Sequence, residues 1–171
     1  YLTRLFEKYA VNKNIRKVVL NQAVSPVNIK KALKYFDNAK LIIVDRDPRD
    51  IYATMLKEGS FLGADAVSNN SVYKYIKWHR YVRKQSVHDV DNSDIQNKVL
   101  RLNFEDFFLH YSETISNIKE FLDIDFDHKD KGSKFKPESI RNHVGIWKGV
   151  PNQDVILQIE KELGEYCYSA S

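Results

Sequence analysis

The chain has 171 residues, enough for one folded domain, and a hydrophobic fraction of 43% that argues against disorder. Its 27 Lys and Arg residues outnumber the 23 Asp and Glu residues, and the net charge of +4 suits an anionic ligand but is too small to indicate nucleic acid. Cys167 is the only cysteine, which excludes an internal disulfide and a cysteine-rich metal site. No apolar run approaches the roughly 20 residues of a membrane-spanning helix. We therefore expect a globular protein in a reducing, cytoplasmic compartment.

The N-terminal part of the sequence predicts a helix, a strand and a second helix. Residues 2–11 have helical spacing of apolar side chains, and the RKVVL run at residues 16–20 has the composition of a strand. Asn28 is expected to cap a helix that ends at Phe36. The order of these elements predicts a right-handed crossover to a parallel neighbouring strand. Because the chain starts with Tyr1 and is already helical there, we also expect an upstream segment to be missing.

The stretch from residue 40 to residue 59 is the most informative part of the sequence. Its apolar run at residues 41–44 shows no alternation and so predicts a strand that is covered on both faces. Asp47 followed by Pro48 is a helix-start signal, because Asp can cap free amide groups and Pro at the first helical position loses no hydrogen bond. The helix is predicted to run to about Glu58, before a glycine that ends it.

This predicted helix has an apolar face and a polar face. The apolar face consists of Ile51, Tyr52, Met55 and Leu56. Asp50, Thr54 and Lys57 are expected toward the opposite face. Arg46 is left at the carboxyl end of the strand, beside the positive end of the helix, where open α/β sheets bind anionic ligands. The turn therefore predicts a phosphate or sulfate site.

The rest of the chain continues the α/β rhythm. It predicts a helix over residues 70–84, a surface loop over 88–97, a strand over 99–104, a helix that closes at Asp123 and a last helix over 152–166. His79 falls on the apolar side of the first of these helices and is expected to be a satisfied core residue. Other positions of that helix carry a basic stripe made of Lys74, Lys77, Arg80 and Lys84.

Three segments form an ordered set of motifs. They are RDPRDIYAT at residues 46–54, LRLNFEDFF at 100–108 and IRNHVGIWK at 140–148. In this order they resemble three elements of the PAPS-dependent sulfotransferases: the R-x-P-R-D turn with a Ser or Thr on the next helix, the strand ending in Tyr-Glu-Asp-Leu, and the late R-K-G-x-x-G-x-W-K loop. That family transfers a sulfuryl group from 3′-phosphoadenosine 5′-phosphosulfate (PAPS) to a hydroxyl or amine. The resemblance covers roughly residues 16–148.

The resemblance implies a fold and a reaction. The fold is a three-layer α/β sandwich with a central parallel sheet flanked by helices, of the P-loop nucleotide-transferase type. It would form a single sulfotransferase-like domain over residues 1–171, without its N-terminal strand and P-loop, since no Gly-rich loop with Lys is present. The implied donor is PAPS, and the implied product is 3′-phosphoadenosine 5′-phosphate (PAP). The acceptor would be a small molecule or a polysaccharide, and the resemblance implies neither a metal nor a nucleic-acid partner.

The resemblance also assigns residues to the donor site. Arg46, Thr54 and Arg141 would hold the 3′-phosphate. Phe104 would neighbour the adenine, and Lys148 would belong to the loop that closes over the phosphate. Thr54 and Arg141 could equally be solvent-exposed groups without a ligand.

Structural alternatives exist for the other residues of the turn. Arg46 could form an ion pair with Asp50 or Glu105 at the edge of the sheet. Arg49 is expected to cap or to pair locally with a carboxylate. Phe104 could belong to the core, because a Phe lacks the hydroxyl that a Tyr would offer to a base edge.

The sequence departs from the family pattern in two places. Many members have a catalytic His just past the strand before the central one, but that position is Ala23 here. In the late loop, the first Arg and the first Gly of the pattern fall on Ile140 and Asn142. The resemblance therefore implies that the base lies elsewhere; in the branch that acts on polysaccharides it is often a Glu shortly after the P-loop, which would belong to the missing segment. His143, between the cations of the late loop, is a further candidate within this sequence. Trp147 is expected to pack under the loop.

Two other functions fit parts of the sequence. A P-loop small-molecule kinase could use Arg46 and Arg49 as phosphate clamps. A non-catalytic module could bind a polyanion or nucleic acid through the basic stripe, where Tyr75, Trp78 and Tyr81 are interleaved with the cations.

Overall fold

The computed structural model describes residues 4, 7–8, 11, 17–21, 25, 27–36, 38–58, 71–91, 94–125 and 137–169. The chain divides into two compact units, Tyr1–Leu41 with Tyr81–Val99 and Ile42–Arg80 with Leu100–Ser171. No helix within the described ranges is long and apolar enough to span a membrane. Ala23, at the position of the family's histidine, lies outside the described residues.

In the first unit, helix α1 (Ile29–Leu33) is shorter than the predicted helix that ends at Phe36. Asn28 has a φ of 69° and makes no side-chain capping bond, so its predicted role as a cap is wrong. Asn adopts this left-handed conformation more readily than most residues, and here it turns the chain into the helix. A 3₁₀ turn, Gln96–Lys98, follows later in the same unit.

The strand predicted over residues 16–20 is absent from residues 17–20, which the structure describes as irregular. Val19 there is 89% exposed. A β-branched run forms a strand only where a neighbouring strand and a packed face support it, and among the described residues no strand pairs with residues 17–20. The predicted crossover from this strand is therefore wrong as well. The helix predicted over residues 2–11 is helical at its described positions, which are Arg4, Glu7, Lys8 and Val11.

A two-stranded parallel sheet, made of β1 (Leu41–Asp45) and β2 (Val99–Asn103), lies mostly in the second unit. Both predicted strands are confirmed. The expectation that β1 is covered on both faces is wrong, because Val44 is 50% exposed and β1 pairs only with β2 within the described ranges. An apolar run favours burial, but cover depends on the elements that flank the strand.

Helix α2 (Pro48–Glu58) has the predicted bounds at both ends. Asp47 fixes its start, since Asp47 Oδ1 accepts the Arg49 N–H at 2.8 Å as expected of a capping residue. Leu56, which was expected on the buried face, is 38% exposed. The strand, the turn and the helix that follow one another here are thus set by local sequence.

Helix α3 (Ser71–Asp91) is longer than the helix predicted over residues 70–84 and takes in the start of the loop predicted over 88–97. Ser86, within this extension, is only 2% exposed. Packing around Ser86 therefore supports the first part of this extension, and the helix continues from there into the polar residues up to Asp91.

The later helices follow the predicted order. They are α4 (Asp106–Leu109), α5 (Tyr111–Leu122), α6 (Pro137–Ile140) and α7 (Gln153–Leu163), with 3₁₀ turns at Arg141–His143, Ile146–Gly149 and Gly164–Tyr166. Helix α5 is closed by its C-cap residue, Asp123, which has a left-handed φ of 51°. This end and the place of the last helix confirm the predictions.

The core of the second unit forms between α2, α3 and α7. Its buried side chains are Tyr52, Met55, Val72, Tyr75, Ile76, Ile156, Ile159 and Leu163. His79 is 5% exposed beside the ring of Tyr166, which confirms its core position. Burial lowers the His79 pKa to about 4. Its Nε2 has no hydrogen-bond partner among the described residues, so the expectation of a satisfied histidine is wrong.

Candidate functional site

Arg46 lies in the turn between β1 and α2, as predicted. Its Nη2 donates to the main-chain carbonyl of His143 at 2.7 Å, and its guanidinium carbon lies 5.0 Å from the centre of the Phe104 ring. The alternative of an ion pair with Asp50 or Glu105 is wrong, because both carboxylates accept main-chain N–H groups instead. The Arg46 Nε is buried and has no acceptor among the described residues.

The missing hydrogen-bond acceptor of the Arg46 guanidinium indicates which kind of ligand the residue could bind. A buried N–H without an acceptor costs free energy, and the nearby Asp50 carboxylate interacts with Arg46 through its charge but forms no ion pair with it. An anion with several oxygens would supply both the missing acceptor and the compensating charge. The Phe104 ring supports the guanidinium from one side through a cation–π contact. Arg46 therefore retains the capacity to bind an anionic ligand.

Arg49, in the first turn of α2, is saturated by partners. Its Nε and Nη2 donate to the Asp47 carboxylate at 3.0 and 2.6 Å, and its Nη1 lies 3.3 Å from the Glu160 carboxylate. Its guanidinium carbon is 4.4 Å from the centre of a Trp147 ring. The hydrogen bond with Asp47 raises the Arg49 pKa above its ordinary value. The predicted local pairing of Arg49 is confirmed.

The Asp47 turn is also held by two later parts of the chain. Glu105, which is 1% exposed, accepts the Asp47 N–H at 2.9 Å through Oε1, and its burial raises its pKa. The main-chain N–H of Tyr168 donates to Asp47 Oδ2 at 3.2 Å. The Tyr168 hydroxyl donates to Asp106 Oδ1 at 2.7 Å. These bonds fix the backbone on which Arg46 is carried.

Asp50 binds the segment that contains the third motif. Its Oδ2 accepts the Gly145 N–H at 2.7 Å and its Oδ1 accepts the Trp147 N–H at 3.0 Å. Asp50 is 1% exposed, so its predicted place on a polar face is wrong, because that segment covers it. Burial raises the Asp50 pKa, and the two amide donors oppose this rise.

Thr54 is half-buried one helical turn beyond Asp50. Its hydroxyl donates to the main-chain carbonyl of Asp50 at 2.9 Å, a common bond for a threonine inside a helix. The single hydroxyl proton is therefore used within α2. A phosphate would receive it only after the hydroxyl rotates.

Two exposed cations flank the segment that Asp50 binds. The Arg141 guanidinium carbon lies 6.0 Å from the centre of the Phe108 ring, and Lys148 Nζ lies 5.6 Å from that of a Trp147 ring. Neither cation forms an ion pair with a carboxylate in the part of the chain that the structure describes. Trp147 packs against the hydrophobic core, which confirms its predicted place under the loop. His143 contributes its main-chain carbonyl, whereas its side chain is exposed.

The predicted site residues differ in how closely the structure associates them. Arg46 and Phe104 are in contact. Arg141 and Lys148 lie on the segment that is tied to Arg46 and to the first turn of α2. Among the residues that the structure describes, Thr54 is connected to this network through the backbone of its own helix alone.

Sequence reasoning missed the roles of Asp50 and Tyr168. An Asp in the first turn of a helix is common, because a negative charge is stabilised at the positive end of the helix dipole. Its presence therefore did not indicate that Asp50 also binds the main chain of a distant segment. Tyr168 lies beyond the three motifs, and no local pattern marks it. Both residues act through contacts with parts of the chain that are distant in sequence.

The basic stripe of α3 is only partly available to a ligand. Lys74 and Lys77 are exposed. Arg80 instead pairs with the Glu162 carboxylate, with a distance of 2.7 Å between Nη2 and Oε2. This pairing weakens the alternative of a polyanion-binding module.

These features define an α/β protein with a partly unpaired arginine in the turn at a strand-to-helix junction. A family model described as the sulfotransferase family matches residues 2–128. The chain belongs to the sulfotransferase family, a family of transferases with the P-loop fold, and this membership argues against the kinase alternative. The match includes the first two motifs, while the segment 140–148 lies outside it. No curated protein and no solved structure matches the chain.

Proposed function

We propose that this protein is a PAPS-dependent sulfotransferase that acts on a hydroxyl or amine, including those of carbohydrates. Family membership supports sulfuryl transfer, and the three ordered motifs support PAPS as the donor. The proposal includes a three-layer sandwich with helices on both faces of a parallel sheet. The single-domain organisation over residues 1–171 and the cytoplasmic location stay predictions.

The observation that carries this proposal is the unused hydrogen-bonding capacity of Arg46. Its buried Nε lacks an acceptor among the described residues, and neither nearby carboxylate pairs with it. A phosphate fits this state, because it offers several acceptor oxygens and a negative charge to a forked donor. The residues present therefore suit the 3′-phosphate of PAPS.

We assign each residue of the proposed donor site a contact with PAPS. Arg46 and Arg141 would bind the 3′-phosphate oxygens, and Thr54 would donate its hydroxyl to the same group. Phe104 would lie beside the adenine while supporting the Arg46 guanidinium. Lys148 would add positive charge from residues 140–148, which contain the third motif and are called the late segment below.

These residues bind and orient the donor, and they do not act as the catalytic base. Sulfuryl transfer by in-line displacement depends on positioning and on cations that offset the charge of the leaving phosphate. The 3′-phosphate is remote from the bond that breaks in PAPS. Loss of Arg46 should therefore raise the KM for PAPS more than it lowers kcat. His143 keeps an exposed side chain and stays a predicted candidate for the base.

Thermal unfolding of the full-length protein in the presence of PAP tests the proposal. PAP should stabilise the protein saturably, by about 2.7 kcal/mol when its concentration is roughly 100 times its Kd. Adenosine 5′-monophosphate differs from PAP only in lacking the 3′-phosphate and serves as the matched control, which should stabilise the protein far less. If saturating PAP leaves the unfolding temperature unchanged, the proposal is wrong.

A further inference from the structure

The first turn of α2 holds the late segment by contacts with its backbone. The two carboxylate oxygens of Asp50 accept the N–H groups of Gly145 and Trp147 at 2.7 and 3.0 Å. Arg46 donates to the carbonyl of His143 at 2.7 Å. Residues 143–147 are thus bound to Arg46 in the preceding turn and to Asp50 in the first turn of α2 by three charge-assisted bonds.

We propose that Asp50 is a positioning residue that latches residues 143–147 onto α2 and thereby sets the affinity of the donor site for a 3′-phosphate. This inference rests on the proposed function. Asp50 is almost fully buried beneath the segment, so it acts through the cations of that segment and not by touching the ligand.

The latch determines where two of the proposed phosphate-binding cations lie. Arg141 precedes the latched residues by two positions, and Lys148 follows them directly. Their side chains are otherwise supported only by ring contacts at 6.0 and 5.6 Å within the described residues. Without the backbone bonds, these cations would sample many positions, and the entropy of ordering them would oppose ligand binding.

The latch uses main-chain atoms of the late segment, so it tolerates changes in that segment's side chains. The sequence departs from the family pattern at Ile140 and Asn142, and both positions precede the latched residues. Gly145 is the exception, because its φ of 73° favours glycine. A Cβ at this position would meet only Lys148 Cε, at 3.9 Å, so the constraint is the backbone conformation and not crowding.

Asp50→Asn in the full-length protein tests the latch. The amide keeps one acceptor oxygen but turns an NH₂ donor toward a main-chain N–H, so one bond is replaced by repulsion between donors. Hydrogen exchange of residues 143–149 should become about tenfold faster, and the Kd for PAP should rise about tenfold. The KM for PAPS should rise in parallel, while kcat at saturating PAPS changes little.

Glu58→Gln is the matched control, because it removes one acidic charge from the same helix at an exposed position. It should leave both readouts at their wild-type values. Gly145→Ala disturbs the backbone of the bound segment while Asp50 is unchanged. It should also make hydrogen exchange of residues 143–149 faster and PAP binding weaker.

Two results would overturn the inference. One is an Asp50→Asn variant in which exchange of residues 143–149 equals that of the wild type. The other is faster exchange there with unchanged PAP affinity. Exchange is measured without nucleotide, so the latch is tested even if the wild type binds no PAP, which would instead refute the proposed function. A global fall in stability without a local change at 143–149 would assign Asp50 a purely structural role.

Discussion

Arg46 and Arg49 belong to the same turn and have opposite surroundings. Arg49 is paired with the carboxylates of Asp47 and Glu160 and stacks on Trp147. Within the described residues, Arg46 makes one hydrogen bond, to a carbonyl, and one ring contact, and it forms no ion pair with a carboxylate. Two guanidinium groups with the same intrinsic chemistry thus differ in how much of their binding capacity is already used.

Under the proposed function, this difference separates a structural arginine from an arginine that binds the ligand. The donors of Arg49 that face Asp47 are committed to the folded state, and removing that side chain leaves a buried carboxylate unpaired. Arg46 keeps a buried donor for which the described chain offers no acceptor. Loss of Arg49 should therefore reduce stability, and loss of Arg46 should reduce nucleotide binding.

Replacement of Arg49 should have the largest effect. Arg49→Met removes the partner of Asp47, which is 4% exposed, and should lower the free energy of unfolding by about 3–5 kcal/mol. Urea denaturation measures this loss. Arg49→Lys is the matched control, because it keeps the charge but loses the fork, and it should recover part of the stability. If Arg49→Met is as stable as the wild type, Arg49 does not have the structural role that distinguishes it from Arg46.

Acidification should lower the free energy of unfolding, because His79 is buried in the core of the second unit without a charge. Its ordinary pKa is 6.5, and burial lowers the pKa to about 4. Between these values the unfolded chain binds a proton that the folded chain does not, so stability is complete above pH 6.5 and is lost as the pH falls toward 4. The total loss should be about 3 kcal/mol.

His79→Phe supplies the control for this pH dependence, because a Phe keeps the ring contacts with Tyr75 and Tyr166 but cannot bind a proton. Denaturation curves across the same pH range should then show a smaller slope. A slope equal to that of the wild type would mean that another group is responsible.

Thr54 should give the smallest effect. Thr54→Val removes the hydroxyl with little change of shape, and the Kd for PAP should rise about fivefold, since the lost hydrogen bond is worth about 1 kcal/mol. Thr54→Ser keeps a hydroxyl and should bind PAP like the wild type. Calorimetric titration of both variants checks this. Equal affinity of the Val and wild-type proteins would exclude Thr54 from the site.

The turn itself could be predicted from sequence because its chemistry is local. Asp47 caps the helix that Pro48 begins, and the preceding apolar run leads Arg46 to the end of a strand. The RKVVL run failed as a strand because a strand depends on a partner that no local pattern reveals. Burial of Asp50 was equally hidden, since the residues that cover it come 95 positions later.

Titration of the full-length protein with PAP, compared between the wild type and Arg46→Ala at a temperature well below unfolding, is the most direct test. We predict that Arg46→Ala raises the Kd by about 10- to 150-fold, because a charged hydrogen bond to phosphate is lost. The free energy of unfolding should fall by less than in Arg49→Met, because the variant loses the bond to the His143 carbonyl but also the buried Nε–H that lacks an acceptor. An unchanged Kd, or a loss of stability as large as that of Arg49→Met, would contradict the assignment of Arg46 to the ligand.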